Sequence, residues 1–366
     1  MKILSVVGAR PNFIKIAPLA EEFRKHPEIK HILVHSGQHY DYEMSDSFFR
    51  DLNIPKPNYN LNIGSGLSGW QIGRMIIELE KIYLAEKPDL AVVVGDVNST
   101  LAAALTAAKL RIPVAHIESG LRSFDRLMPE EINRLLTDQI ADYLFVTEPS
   151  AIENLLREGI SKRKIFYVGN IMIDTLKNQI SNIKSKNYKD ELLKRFNLEP
   201  KQYAVLTLHR PSNVDDEKIL KNLFETIEVI SQKIPVIFSV HPRTQKQLEK
   251  FRPKSQFADC RLQLIPPVSY MDMLCLVSNA KFALTDSGGI QEETTALSIP
   301  CLTVRQNTER PITVEKGTNI LVGQNRNKIL KEVNKILIGK IKKGCIPRYW
   351  DGKTAQRIAK IIKNKL

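Results

Sequence analysis

Leu284-Thr285-Asp286-Ser287-Gly288-Gly289-Ile290-Gln291-Glu292-Glu293-Thr294 is the stretch whose reading decides the fold. The apolar run from Lys281 to Thr285 predicts a buried strand, which stops at an acid, a serine and two glycines before a helical pattern begins. Glycines permit close backbone approach, and a helix start aims unpaired N–H groups at whatever lies in front of it. The turn is therefore a candidate phosphate cradle, with an ordinary strand-to-helix connection as the structural alternative. Glu292 and Glu293 either hold ribose hydroxyls or only favour the positive end of the helix.

Working outward, the same punctuation recurs. Upstream, Tyr203 to Leu208 ends in His209-Arg210-Pro211, Pro235 to Val240 ends in His241-Pro242-Arg243-Thr244, and Leu262 to Ile265 ends in two prolines. Downstream, Pro300 to Val304 runs into Arg305-Gln306-Asn307-Thr308-Glu309-Arg310-Pro311. The first half repeats the scheme with apolar runs at Lys2 to Val7, Ile29 to Ser36, Leu90 to Asp96, Pro113 to Ile117, Tyr143 to Val146 and Lys164 to Val168. Helical patterns lie between them, among them Pro11 to Arg24, about Tyr42 to Leu52, and Leu67 to Lys87. Strands alternating with helices in both halves predict an α/β protein of two Rossmann-like, doubly wound parallel sheets facing a cleft. We place the domains at residues 1–170, completed by a C-terminal helix over 354–366, and at 171–353. Ser181 to Tyr188 is polar and weakly periodic, and is expected to be a surface excursion near the boundary.

Composition narrows the class of function. A chain of 366 residues suits two domains of about 150 to 200 residues each. No apolar run approaches the roughly 20 residues that span a bilayer, and the N-terminus reads straight into a strand instead of a signal peptide. Four cysteines, Cys260, Cys275, Cys301 and Cys345, show no Cys-x-x-Cys spacing, which argues against zinc and against a disulfide framework and fits a cytoplasmic protein. The formal charge of +14 invites a nucleic-acid reading. Much of it, however, lies on helical stretches such as Lys328, Lys331, Lys335, Lys340, Lys342 and Lys343, the pattern of a solvated face, and no nucleic-acid-binding signature accompanies it. It better serves solubility and attraction of an acidic small substrate.

Candidate chemistry collects at strand ends, where open α/β sheets bind ligands. Arg10 and Lys15 follow the first strand; Asp96 is the first strongly polar residue after Leu90 to Gly95; Glu118 follows the next. Glu130 and Glu131 come after Pro129. Each has a structural alternative: surface cations for Arg10 and Lys15, a helix cap for Asp96, and dipole stabilisation for the two glutamates. Delivered to one sheet edge, Asp96, Glu118 and Glu130 would repel one another and raise at least one pKa, as acid/base catalysis wants.

Gly8-Ala9-Arg10-Pro11 with Lys15, Ser36-Gly37-Gln38-His39, Gly95-Asp96, His116 through Arg122, Pro129 through Arg134, His209-Arg210, His241-Pro242, Asp286 through Glu293 and Thr308-Glu309-Arg310-Pro311, taken in order, resemble the UDP-N-acetylglucosamine 2-epimerase family in its non-hydrolysing branch. The resemblance implies glycosyltransferase-B-type (GT-B) architecture, a homodimer, and an isomerase that interconverts UDP-N-acetylglucosamine and UDP-N-acetylmannosamine. It also implies that Arg10, Lys15, Asp96, Glu118, His209, Ser287, Gly288, Gly289, Glu293 and Arg310 contact substrate or UDP, with Glu130 as a further catalytic carboxylate. Val268 stands where relatives carry a glutamine beside the uracil, and Gly64 to Trp70 lacks the charge of the allosteric site of some bacterial members.

The chemistry of such a reaction is consistent with these residues. The C2 hydrogen is not next to a carbonyl, so UDP must leave C1 while a carboxylate takes the C2 proton, giving a glycal to which UDP returns after protonation of the other face. Cations and helix-end amides must hold the diphosphate, and a carboxylate must work at C2. We expect Asp96, Glu118 and Glu130 to handle protons and His209 to stand near the leaving phosphate. No metal, NAD or other cofactor is implied. The competing functions are a hydrolysing epimerase that releases N-acetylmannosamine and UDP, a catalytically silent sugar-nucleotide-binding protein, and a glycosyltransferase.

Overall fold

The computed structural model describes residues 1–37, 52–251 and 261–365. The expected helix from about Tyr42, the cluster Gln38-His39-Tyr40, Cys260 and the side chain of Arg10 lie outside what it describes. The chain divides into two compact units, Met1–Asn178 with Arg348–Leu366, and Gln179–Pro347.

Among the described residues of the first unit seven parallel strands form one sheet: β1 (Lys2–Val7), β2 (Lys30–His35), β3 (Tyr59–Asn60), β4 (Leu90–Val94), β5 (Val114–Ser119), β6 (Tyr143–Val146) and β7 (Ile165–Tyr167), in the order β3-β2-β1-β4-β5-β6-β7. The second sheet has six: β8 (Ala204–Thr207), β9 (Val236–Ser239), β10 (Leu262–Ile265), β11 (Phe282–Thr285), β12 (Cys301–Thr303) and β13 (Asn319–Leu321), ordered β10-β9-β8-β11-β12-β13. Each order reverses once, between β1 and β4 and between β8 and β11. Doubly wound sheets hold ligands beyond the strand ends at that reversal.

Parallel strands covered on both faces need continuous apolar runs, and every residue of Leu90-Ala91-Val92-Val93-Val94 is inaccessible to solvent. One core gathers Leu4, Val6, Val34, Val93, Leu144 and their neighbours; a separate one gathers Leu206, Phe238, Phe282, Leu284 and Leu302. Pro opens the helix Pro129–Ile140 and stands second in Arg10–Arg24, where its missing N–H costs nothing. The final helix, Thr354–Lys365, returns to the first unit, where Ala355 N–H donates to the buried carboxylate of Asp174 at 2.8 Å. Among the described residues no helix is long and apolar enough to cross a membrane.

Three local expectations change. Ser181 to Tyr188 is helical apart from Ser185, since Ile171–Lys184 and Lys186–Arg195 run through it. The lysine-rich helix Arg326–Leu337 stops early at Gly339, whose φ of +80° only glycine adopts without strain. Lys342 is therefore not on a solvated helical face; its ammonium donates to the carbonyls of Val314 and Asn319. Finally, β5 continues through Glu118 and Ser119, which the sequence places in a loop.

Candidate active site

At the reversal in the first sheet, one side chain ties the two strands together. Asn12 Oδ1 accepts from the N–H groups of Gly8 (3.4 Å) and Ala9 (3.0 Å) after β1, and its Nδ2 donates to the carbonyl of Val94 on β4 at 2.7 Å. One turn along the same helix, buried Lys15 places its ammonium 2.6 Å from Glu118 Oε2. Gly95 has φ +68°, and a Cβ there would lie 3.0 Å from that ammonium. The positive φ favours glycine at this turn, and a side chain there would press on the Lys15 ammonium.

Glu118 is held in an unusual way. Its φ is +69°, and the register of β5 against β6 slips between Ile117 and Ser119. A non-glycine residue in the left-handed region inside a strand is strained, and the irregularity re-aims its side chain.

Asp96 faces Arg134, whose Nη2 lies 2.5 Å from Oδ2. Arg134 Nη1 also reaches Glu131 Oε2 at 2.7 Å, and Asn133 Nδ2 donates to the Asp96 carbonyl at 2.9 Å. Asp96 does not cap the following helix, whose N-cap is Val97. Glu130 sits half-buried on the first turn of Pro129–Ile140, with no hydrogen bond or ion pair among the described residues. The expected mutual repulsion of carboxylates gives way to pairing: Lys15 answers Glu118, and Arg134 answers both Asp96 and Glu131.

Behind this turn lies a buried polar network. His116 Nε2 is 2.8 Å from the carbonyl oxygen of Gly95, which can only accept, so that nitrogen carries a hydrogen; Nδ1 lies 2.6 Å from Asp138 Oδ1. Asp138 Oδ2 accepts from Gly120 N–H at 3.0 Å and pairs with Arg122 at 2.7 Å, while Arg122 grips Glu158 through two bonds of 2.8 and 2.6 Å. Burial acts to raise the Asp138 pKa, but His116 and Arg122 outweigh it and hold the carboxyl below its ordinary value.

The second reversal is built differently. Asp286, fully buried after β11, accepts from the backbone N–H groups of His209 (3.0 Å) and Arg210 (2.9 Å) after β8, and from Asn213 Nδ2 at 3.0 Å. His209 Nδ1 completes the set at 2.7 Å. Burial again opposes ionisation, and the His209 bonds with the other donors overcome it, leaving the Asp286 pKa below its ordinary value. The His209 side chain remains 35% exposed, so its Asp286-facing edge is fixed while the ring reaches solvent.

Ser287 then caps the helix Gly288–Leu297, its hydroxyl binding none of the helix N–H groups. A Cβ on Gly288 would sit 2.9 Å from Arg310 Nη1 and 3.1 Å from Cζ, so the arginine lies directly against the turn. Arg310 Nε is 2.9 Å from Glu292 Oε1, and Glu309 beside it is gripped by Arg305 at 2.7 and 2.9 Å. Glu293 is buried on the same helix. Among the described residues no group of three or more His, Cys, Asp or Glu is placed to hold a metal.

The structure thus joins Lys15 to Glu118, His209 to Asp286, and Gly288 to Arg310, while among the described residues no bond links Glu130 to Asp96. Asn12 and Asp138 carry connections that sequence patterns did not single out, and Glu131, Arg134 and Glu292, which stood within the sequence motifs, meet partners that the patterns did not predict. The i, i+3 spacing of Glu131 and Arg134 was the one available signal.

Residues 21–363 match the model of the family described as UDP-N-acetylglucosamine 2-epimerase. A protein of Methanococcus maripaludis named UDP-N-acetylglucosamine 2-epimerase homolog is 48% identical over 100% of both chains. The UDP-N-acetylglucosamine 2-epimerase of Methanocaldococcus jannaschii is 47% identical over 99% of both. The crystal structure of a Methanocaldococcus jannaschii UDP-GlcNAc 2-epimerase in complex with UDP-GlcNAc and UDP superimposes with a TM-score of 0.89 at 46% identity, covering all of both chains. With its two Rossmann-like sheets of the GT-B class and its full-length likeness to these enzymes, the chain belongs to the UDP-N-acetylglucosamine 2-epimerase family.

Proposed function

We propose that the protein interconverts UDP-N-acetylglucosamine and UDP-N-acetylmannosamine without net release of UDP, by elimination to a 2-acetamidoglucal and re-addition. The observation that carries this reading is that the two strand-order reversals bear unlike groups. One reversal point holds the carboxylates Asp96 and Glu118 with Lys15, and the other holds a helix start with Ser287, Gly288, Gly289 and Arg310. The second suits a diphosphate: unpaired N–H groups, close backbone approach and a guanidinium stabilise the charge that develops as UDP departs. The first suits proton transfer at C2, with Glu118, Asp96 and Glu130 as the carboxylates and Lys15 paired to Glu118. His209, oriented through Nδ1 by Asp286, offers its other nitrogen to the leaving phosphate, and Arg10 adds a cation from the first helix. Glu293 binds the ribose. No cofactor is needed for the elimination.

The protein acts in this reading as a cytoplasmic homodimer that supplies an activated sugar for polysaccharide assembly. Trp70, Ile77 and Leu84 recur every seven residues on the outer face of the helix Ser68–Glu86, each between 45 and 58% exposed, which supports that helix as the contact between copies.

Incubation with UDP-N-acetylglucosamine in deuterium oxide tests the chemistry. NMR is expected to show UDP-N-acetylmannosamine carrying deuterium at C2, with no stoichiometric free N-acetylmannosamine. Free sugar and UDP in equal amounts would establish the hydrolysing alternative, and unchanged substrate the silent one.

A further inference from the structure

The helix Pro129–Ile140 turns Asn133 and Arg134 to the residue that follows β4 and its turn, and Glu131 to the backbone after β5. We infer that Glu131 and Arg134 are positioning residues that fix the carboxylate of Asp96 for catalysis, an inference that rests on the role proposed above for Asp96. Asp96 follows a left-handed glycine and has two side-chain torsions of its own, so nothing local determines where its carboxylate points. Arg134 supplies that direction through the 2.5 Å contact, and Asn133, the residue before it on the helix, pins the Asp96 backbone.

Arg134 is itself immobilised. Its side chain is almost wholly buried, and its second terminal nitrogen is taken by Glu131. Glu131, buried in turn, receives four donors: Arg134 Nη1, the Ser123 hydroxyl at 3.0 Å and N–H at 2.9 Å, and the Phe124 N–H at 2.9 Å. A chain of charge-assisted bonds therefore runs from the backbone after β5 through Glu131 and Arg134 to Asp96. The guanidinium suits this task because its planar fork addresses two carboxylates in fixed directions, which a lysine ammonium cannot do. The same glutamate holds Phe124, whose φ is +58° and whose side chain is 72% exposed.

The test is steady-state kinetics of Glu131→Gln, Arg134→Lys, Arg134→Met, Asp96→Asn and the double variant Arg134→Met/Asp96→Asn, with UDP affinity and thermal midpoint measured on each. A misplacement on the order of 1 Å costs about 100-fold in rate. We expect kcat to fall by about that factor in Glu131→Gln and Arg134→Lys, with KM and UDP affinity nearly unchanged. The double variant should be no slower than Asp96→Asn alone, because the arginine acts only through the aspartate. Glu131→Gln and Arg134→Lys keep the shape of the site, so they decide the matter even if Arg134→Met does not fold. Wild-type kcat in both, beside an impaired Asp96→Asn, overturns this inference while leaving the proposed function intact. Wild-type kcat in Asp96→Asn overturns both the role of Asp96 and the inference built on it. Multiplicative losses in the double variant overturn positioning in favour of independent roles.

Discussion

The end of β4 and the end of β11 occupy the same place in two sheets wound in the same order, yet their residues perform opposite electrostatic tasks. After β4, Asp96 and neighbouring Glu118 are functional candidates and the cations Arg134 and Lys15 hold them. After β11 the roles exchange: Asp286 is a fully buried strut, saturated by backbone and side-chain donors, and beside the turn stand the N–H groups of a helix start, a partly exposed histidine edge and the buried guanidinium of Arg310, which Glu292 pairs. The topology fixes where a ligand can sit, and the sign of the charge that the protein commits to its own support determines which chemistry remains for the ligand.

The sharpest break between the two regions is in turnover. Glu118→Gln and Glu130→Gln are expected to slow epimerisation by ~10²–10⁴-fold, the usual range for a general acid or base, while UDP binding stays within a few-fold of wild type. Calorimetric UDP titration beside the NMR assay checks this. If turnover survives in both, proton transfer does not belong to the first reversal point.

Binding should fail at the other end. Arg310→Ala removes a charge-assisted contact worth roughly 1.5 to 3 kcal/mol, or about 10 to 150-fold in UDP affinity. Gly288→Val should do comparable harm by driving a side chain into Arg310. Equal UDP affinity in both variants would dissolve the contrast.

Asp286→Asn sharpens the comparison from the structural side. An amide retains one acceptor but turns its nitrogen toward groups that themselves donate, leaving buried donors unpaired at about 1 to 3 kcal/mol. A lowered denaturant midpoint with a weakened UDP site is the expected outcome; full stability would show the strut to be dispensable.

The smallest effects appear in the dependence of stability on pH. Asp138 and Asp286 have folded pKa values below their ordinary 3.8, so the unfolded chain takes up protons first; their contribution is complete above that value and is lost as pH falls through the folded pKa. His31, packed edge-on against Phe23, is pushed by burial from 6.5 down to about 4. It too stays unprotonated when the unfolded chain protonates, so stability should decline between pH 6.5 and 4 and level off for this group below that. Chemical denaturation across pH 3 to 8 with His31→Phe as the control separates the histidine from the two aspartates. A wild-type slope between pH 6.5 and 4 in that variant would rule His31 out.

Most strand positions were legible because a parallel strand covered on both faces must be a continuous apolar run, and such runs stop where the backbone leaves the core. Leu262–Ile265 falls where the pattern puts it, and most other strands agree within a residue or two. The two-residue strand β3 escaped, since so short a segment has no periodicity; β13 was missed as well, whereas β7 and β12, equally short, were marked by the longer runs Lys164 to Val168 and Pro300 to Val304. Helix starts were readable at Pro11 and Pro129 from their special chemistry. The early stop of the lysine-rich helix was not, because glycine within a helical pattern is permitted as well as terminal.

The amino-acid sequence by itself determined the class of fold, the strand ends where polar residues emerge, and which of them were worth suspecting, since these depend on local pattern and on turn chemistry. Only the tertiary structure decided the partners. That Arg134 answers Asp96 across 38 positions, that Lys15 rather than a neighbouring carboxylate meets Glu118, and that Asp286 is support while Asp96 is not, follow from strand order and helix rotation. A side chain's type states what it can bind, but its charge is answered by whatever group packing brings within about 3 Å, and that choice is made by long-range burial of apolar surface with no local trace in the chain.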